Sequence, residues 1–109
     1  GSNPTMNRFW KIAYAHEVDL ALAGHEHTYE RFAAMDPDGN LDPGRGIVSF
    51  VSGAGGKSLY GLDPRVPGSQ FAQNSTFGVL LLTLTPRSFR WRFVDIDGAT
   101  LDRGSARCH

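Results

Sequence analysis

The sequence is poor in cysteine and has no excess of charge of either sign. Cys108 is the single cysteine among 109 residues, and 11 basic side chains balance 11 acidic ones. A lone cysteine forms no disulfide within the chain, so Cys108 is either a surface thiol near the terminus or half of a disulfide to a partner outside the chain. The balanced charge gives no reason to expect nucleic acid or an anionic membrane as a partner.

Long apolar runs, internal repeats and low-complexity segments are also missing. The longest apolar run, residues 77–82, contains Gly78 and is far shorter than the roughly 20 residues that a membrane-spanning helix needs. No signal peptide is visible. With 40% hydrophobic and 20% charged residues, the sequence predicts a single soluble domain over residues 1–109.

A helix is predicted for residues 4–16. Asn3 supplies a capping oxygen, and Pro4 at the first helical position gives up a backbone donor that would have no partner there. The helix ends at His16, whose charge would suit the helix dipole. Five side chains fall at helical spacing and predict one apolar stripe that faces a core: Met6, Phe9, Trp10, Ala13 and Tyr14.

The rest of the sequence predicts strands and turns. Residues 18–23 form a short apolar run with one charge, which is typical of a buried strand covered on both faces. Residues 57–75 have no period and are predicted to form a long loop. Further strands are predicted for residues 28–35, 46–52, 77–85, 88–96 and 99–101. The predicted fold class is α+β, with one N-terminal helix and about five mostly antiparallel strands.

This set of strands is incomplete. A strand that is covered on both faces needs parallel neighbours, and the sequence predicts none for residues 18–23. The chain is therefore expected to be a fragment of a larger domain, or to form a homo-oligomer in which copies complete each other's sheets.

A His-x-His pair follows the predicted buried strand, where sheets of this kind bind ligands. In an extended segment, His25 and His27 point the same way and lie about 6.5–7 Å apart. Paired hydrolytic metals lie roughly 3.5–4 Å apart, and each binds a histidine nitrogen at about 2.1 Å. One extended His-x-His can therefore give one imidazole to each metal, with Gly24 letting the backbone turn sharply after the strand. Taken alone, the motif also fits hydrogen-bonded histidines that bind no metal.

Residues 18–31 carry a longer pattern: an apolar strand, Gly-His-x-His, one residue and then Tyr-Glu-Arg. This pattern resembles the last signature block of the calcineurin-like metallophosphoesterases and is closest to their purple-acid-phosphatase branch. Residues 36–39, the strand ending at residues 53–56 and the strand pair that begins at Phe77 also resemble that family's C-terminal region. The resemblance covers most of the chain and implies the C-terminal half of an αββα sandwich.

The resemblance implies metal-dependent hydrolysis of phosphate monoesters or diesters. His25 would bind one metal and His27 the other, in a divalent or mixed-valent pair of zinc, iron or manganese ions. The two cations would neutralise the phosphate oxygens and lower the pKa of the attacking water. The resemblance also implies a secreted or periplasmic setting.

The residues after the histidines have implied roles as well. Tyr29 lies on the same face as both histidines in an extended chain, so it would either contact the substrate or buttress the metal ligands. Glu30 and Arg31 are expected to give the loop structural support through hydrogen bonds and charge pairing.

The family's other metal-ligand blocks do not occur in this sequence, and the acidic ligand that bridges the two metals is among them. His16 is interpreted as structural and His109 as disordered at the terminus, so neither replaces the missing ligands. Two alternatives to a working phosphatase stay open. In the first, the chain is a catalytically silent fragment or a self-assembling module. In the second, it is a module that binds one metal or none.

Two further motifs are interpreted as structural. Residues 53–58 end in Gly-Lys-Ser like a phosphate-binding P-loop, but Val51 stands where the first glycine belongs and no helix is predicted to follow. Arg87, Arg90 and Arg92 form a basic strip, but alternation along a strand puts Trp91 on the opposite face. A solvated edge is therefore favoured over a site for single-stranded nucleic acid.

Overall fold

The computed structural model describes residues 4–24, 27–53, 55 and 68–109, with side chains from residue 7 onward. The α+β class is confirmed, with more strands than predicted and in two separate sheets. No helix in these residues is long and apolar enough to cross a membrane. The elements in this part of the chain are α1 (Pro4–Ala15), β1 (Leu20–Ala23), β2 (Tyr29–Met35), β3 (Ile47–Ser52), β4 (Ser69–Gln73), β5 (Gly78–Leu84), β6 (Ser88–Asp95) and β7 (Thr100–Arg107).

The first sheet has the strand order β1-β3-β2-β4. β1 runs parallel to β3, with Ala23 opposite Val51, and β2 is antiparallel to both β3 and β4. The prediction of a strand that is covered on both faces and has no parallel neighbour is therefore wrong. Among the described strands β1 lies at the edge of the sheet with one parallel neighbour, and Leu22 on it is 56% exposed.

The second sheet has the order β5-β6-β7 and is antiparallel throughout. Alternation along β6 buries Trp91 and leaves Arg90 and Arg92 exposed on the opposite face, as predicted. Because β6 is the middle strand, these arginines lie on an open sheet face and not at a sheet edge. β7 extends well beyond residues 99–101, since its polar residues gave no apolar signal from which its length could be predicted.

An aromatic core holds the two sheets face to face. The rings of Tyr29 and Phe93, from opposite sheets, stack with 4.1 Å between their centroids. Phe50 of the first sheet meets the ring of Trp91 edge-on at 5.6 Å. Burial of one large aromatic side chain stabilises a fold by about 1.5–3 kcal/mol, so these rings contribute much of the stability. The buried cluster consists of Tyr29, Phe50, Phe89, Trp91 and Phe93.

The chain after β3 is more regular than predicted. Residues 57–67 of the predicted loop lie outside the described residues, but Ser69–Gln73 forms β4 and pairs with β2. The sequence signal for β4 was weak because Phe71 is its single large apolar residue.

The last two residues connect the two sheets. The N–H of His109 donates to Oδ1 of Asp19 at 2.8 Å, and its Nε2 lies 2.9 Å from the carbonyl oxygen of Gly46. The expectation of a disordered His109 is therefore wrong. Cys108 is half-buried against the aromatic core, and burial together with the Asp19 carboxylate raises the pKa of its thiol.

Helix α1 ends in a hydrogen-bonded cap. The N–H of Val18 donates to the carbonyl of Ala13, and that of Glu17 to the carbonyl of Tyr14, each at 3.1 Å. Glu17 takes the left-handed conformation, with φ of 60°, at the position where glycine is usual. This cap turns the chain from the helix into β1.

The apolar stripe predicted for the helix is only partly a core stripe. Trp10, Ala13 and Tyr14 are partly buried, but Phe9 is 54% exposed. The predicted capping residue Asn3 and the side chain of Met6 lie outside the described residues.

Gly104 on β7 is required by the packing of the core. A Cβ at this position would lie 2.3 Å from the ring of Trp91, so Gly104→Ala is expected to lower the free energy of unfolding by about 1–3 kcal/mol. Gly44→Ala is the control, because a Cβ there meets nothing within 4 Å. Urea denaturation measures both variants, and equal stability of the two would contradict the packing of Trp91 against β7.

Candidate functional site

The predicted His-x-His segment connects the end of β1 to the start of β2. Gly24 follows β1 directly, and the N–H of Gly53, just beyond β3, donates to the carbonyl of Thr28 at 2.9 Å. The carboxyl ends of the parallel strands β1 and β3 therefore meet here, which is where such sheets bind ligands. His25 and the neighbouring Glu26 lie outside the described residues, whereas His27 is described and partly buried.

A groove of about 470 Å³ opens at the same end of the sheets. None of the described residues that line it carries a charge. The described lining therefore offers no electrostatic attraction to an anionic substrate. The lining comes from the ends of β1 and β3 and from β5, and includes Leu22, Gly24, Ser52, Gly55, Gly78 and Leu82.

The backbone does not require glycine at position 24. Gly24 has no positive φ, and a Cβ added there would make an ordinary contact of 4.0 Å with the carbonyl oxygen of Ser52. A sharp turn after Gly24 would fall on residues outside the described part of the chain, so it stays a prediction.

Tyr29 begins β2 and is fully buried between the two sheets. Its hydroxyl donates to Oδ2 of Asp102 at 2.7 Å. Burial, followed by this hydrogen bond and the Asp102 charge, raises the pKa of Tyr29 well above its ordinary value. Of the two roles considered for Tyr29, this geometry fits the buttressing of the preceding segment better than contact with a substrate.

Arg31 and Asp102 form a largely buried ion pair beside Tyr29. Nε and Nη2 of Arg31 donate to the two carboxylate oxygens of Asp102 at 2.8 and 3.1 Å. Burial acts to raise the pKa of Asp102, but hydrogen bonds from Arg31 and Tyr29 outweigh it and hold that pKa below its ordinary range. We call these three side chains the cross-sheet bridge, because they connect β2 of the first sheet to β7 of the second.

Glu30 and Arg31 also connect β2 to its neighbour β4. Ser69 Oγ donates to Glu30 Oε2 at 2.5 Å, and Arg31 Nη1 donates to Gln70 Oε1. Both side chains thus hold β2 against β4, whereas their support of the His-x-His loop stays a prediction.

Sequence reasoning missed Asp102 as part of this site. It lies in a polar stretch that was not predicted to be a strand. The one available signal is the alternation of β7, which puts Asp102 opposite Phe93 on the face that turns toward the core.

The described residues do not fit a complete metal centre. Among them, no group of three or more His, Cys, Asp or Glu side chains lies close enough together to hold a metal ion. His25 and His27 would supply two ligands, whereas even a single catalytic zinc usually has three from the protein.

The ion pair of the cross-sheet bridge predicts a dependence of stability on pH. A lowered folded-state pKa contributes stability above the ordinary carboxyl pKa, and this contribution is lost as the pH falls below about 4. Asp102→Asn is expected to lower the free energy of unfolding by about 3 kcal/mol at neutral pH, since Arg31 keeps its buried charge without an anionic partner. It is also expected to flatten the loss of stability in acid, because the titrating carboxyl group is gone.

Urea denaturation between neutral pH and pH 3 measures this effect. Asp97→Asn is the control, because Asp97 is exposed in the turn between β6 and β7. If both variants followed the pH dependence of the unchanged chain, the ion pair would contribute nothing to folding.

The sequence matches no family profile, and no curated protein matches it significantly. Among solved structures, the chain is similar to a purple acid phosphatase isolated from yellow lupin (Lupinus luteus) seeds, with a TM-score of 0.77 and 24% sequence identity. The match covers 96% of this chain and 19% of the lupin protein, so the chain spans about a fifth of that phosphatase. The resemblance found in the sequence is confirmed at the level of fold: this chain has the fold of one part of a purple acid phosphatase.

Proposed function

We propose that this chain is the part of a metal-dependent phosphate-ester hydrolase that supplies the His-x-His ligands. In this proposal His25 and His27 each give one imidazole to a pair of zinc, iron or manganese ions. The observation that supports it most is the position of the segment at the carboxyl ends of β1 and β3, in a chain with the fold of a purple acid phosphatase segment. The substrate would be a phosphate monoester or diester.

The way the His-x-His segment is held supports this role. At its start, Ala23 is fixed by pairing with Val51 of β3. At its end, the carbonyl of Thr28 accepts the hydrogen bond from Gly53, and Tyr29 is fixed in the core. Ligands that hold a metal at defined distances need such support from both sides. The short connection between these two fixed ends therefore suits a pair of metal ligands.

In this proposal the described lining of the groove beside the segment leaves the attraction of a phosphate to other groups. Its described lining is mostly apolar and offers no positive side chain to a phosphate. A bound metal pair would supply the missing charge and would lower the pKa of a bound water. This chain's own contribution would be to hold the two imidazoles and to shape the groove.

The remaining metal ligands would come from outside these 109 residues. The chain spans 19% of the lupin phosphatase, and only two candidate ligands are identified in it. In this proposal it is the C-terminal part of a larger metallophosphoesterase domain. The secreted or periplasmic setting implied by the resemblance belongs to the same proposal.

A second candidate is a self-assembling module that lacks activity. It is favoured by two exposed strands, β1 and β5, which both line the groove. Leu22 on β1 and Val79 on β5 are each more than half exposed. A second copy that paired with these strands would bury them and complete the sheets, as many edge strands are covered in proteins.

The proposal is tested by metal retention. The chain is equilibrated with zinc, manganese or iron, and the bound metal is measured after removal of the excess. The unchanged chain is expected to retain zinc weakly, His25→Ala/His27→Ala to retain none, and the exposed-histidine control His16→Ala to behave like the unchanged chain. Undiminished retention by the double variant would contradict the proposal.

Hydrolysis of a chromogenic phosphate ester and the mass in solution are measured on the same samples. The isolated chain is expected to be inactive, because two imidazoles do not complete a hydrolytic metal pair. Activity that disappears in His25→Ala/His27→Ala would mean that the chain builds a whole site. An inactive chain with a dimeric mass would favour the self-assembling candidate.

A further inference from the structure

Four arginines share the outer face of the second sheet. Alternation along β6 and β7 directs them away from the core, and all four are exposed. Arg92 lies directly opposite Arg103, and Arg90 lies opposite Ser105 on the neighbouring strand. We call this set the basic face: Arg90, Arg92, Arg103 and Arg107.

The charges of the basic face are not balanced within the described part of the chain. None of its four guanidinium groups takes part in an ion pair there. No acidic residue holds an outward position on β5, β6 or β7, since Asp102 faces the core and Asp95 binds the backbone of the turn to β7. Two like charges placed opposite each other on neighbouring strands are destabilising. The face therefore favours an anionic partner.

One side of the basic face is apolar. Val79 and Leu81 point outward from β5, and they are 55% and 45% exposed. Leu81 lies directly opposite Arg92. The outer surface of the sheet thus has an apolar row along β5 next to the basic rows along β6 and β7.

We propose that the outer face of the second sheet binds an acidic amphipathic helix of a partner protein. Three strands are about 10 Å wide, which matches the diameter of a helix. Acidic side chains four residues apart on a helix are separated by about 6 Å, close to the distance of about 7 Å between Arg90 and Arg92 along β6. The partner's apolar stripe lies on Val79 and Leu81 while its acidic flank pairs with the arginines.

A sulfated polysaccharide or a nucleic acid is the other kind of partner that arginines attract. It would pair with the charges but would leave the row formed by Val79 and Leu81 uncovered. The apolar row beside the charges favours the amphipathic helix. This inference does not rest on the proposed phosphate chemistry, because none of the four arginines lines the groove, although Val79 of the apolar row does.

The test uses the full chain and a synthetic helical peptide with leucines on one face and glutamates along its flank. Binding is followed by fluorescence anisotropy and is expected to weaken as salt is added. Arg92→Glu/Arg103→Glu is expected to weaken it at least about tenfold, and Leu81→Ser about fivefold. Arg8→Glu/Lys11→Glu, which makes the same change of charge at exposed positions of α1, is the control and is expected to have no effect.

Three outcomes would overturn the proposal. The first is the absence of peptide binding to a folded chain. The second is an equal loss of binding in the α1 control, which would mean that total charge and not this face is recognised. The third is heparin binding as tight as peptide binding and insensitive to Leu81→Ser, which would make the face a general polyanion surface.

Discussion

The contact between Arg31 and Asp102 is the interaction on which the two sheets depend for their mutual position. Aromatic rings bring the sheets together, and a two-point ion pair adds a directional contact between them. Asp102 also accepts the hydroxyl hydrogen of Tyr29, so one carboxylate fixes two side chains of β2. Its ionisation is favoured because these hydrogen bonds outweigh the cost of burial.

The cross-sheet bridge also links the core to the candidate site. β2 starts at Tyr29, two residues after His27, so the bridge holds the strand that follows the His-x-His segment. On the other side, β1 holds Gly24 through its parallel pairing with β3. The segment is thus held at both of its ends. This division between a rigid support and a short connection suits a site whose other half comes from elsewhere.

Much of this arrangement could be predicted from the sequence, and the failures have physical causes. The helix, the aromatic alternation of β6 and the strand before Gly24 follow from the period of apolar residues. β4 was missed because Phe71 is its single large apolar residue. Most of β7 was missed because Gly104 and Asp102 serve the core without being apolar: Gly104 makes room for Trp91, and Asp102 is neutralised by Arg31. Such residues depend on partners that are distant in sequence, and local patterns do not contain that information. The exposure of β1 was missed as well, because it depends on which distant elements lie beside the strand, and local patterns do not contain that information.

The central claim is that His25 and His27 act together as one pair of metal ligands. The most direct measurement is nuclear magnetic resonance of the imidazole nitrogens of the isotope-labelled chain during titration with zinc. The account predicts that signals of His25 and His27 change together along one binding curve, while those of His16 and His109 stay in place. Changes at only one of the two, or equal changes at all four histidines, would contradict it.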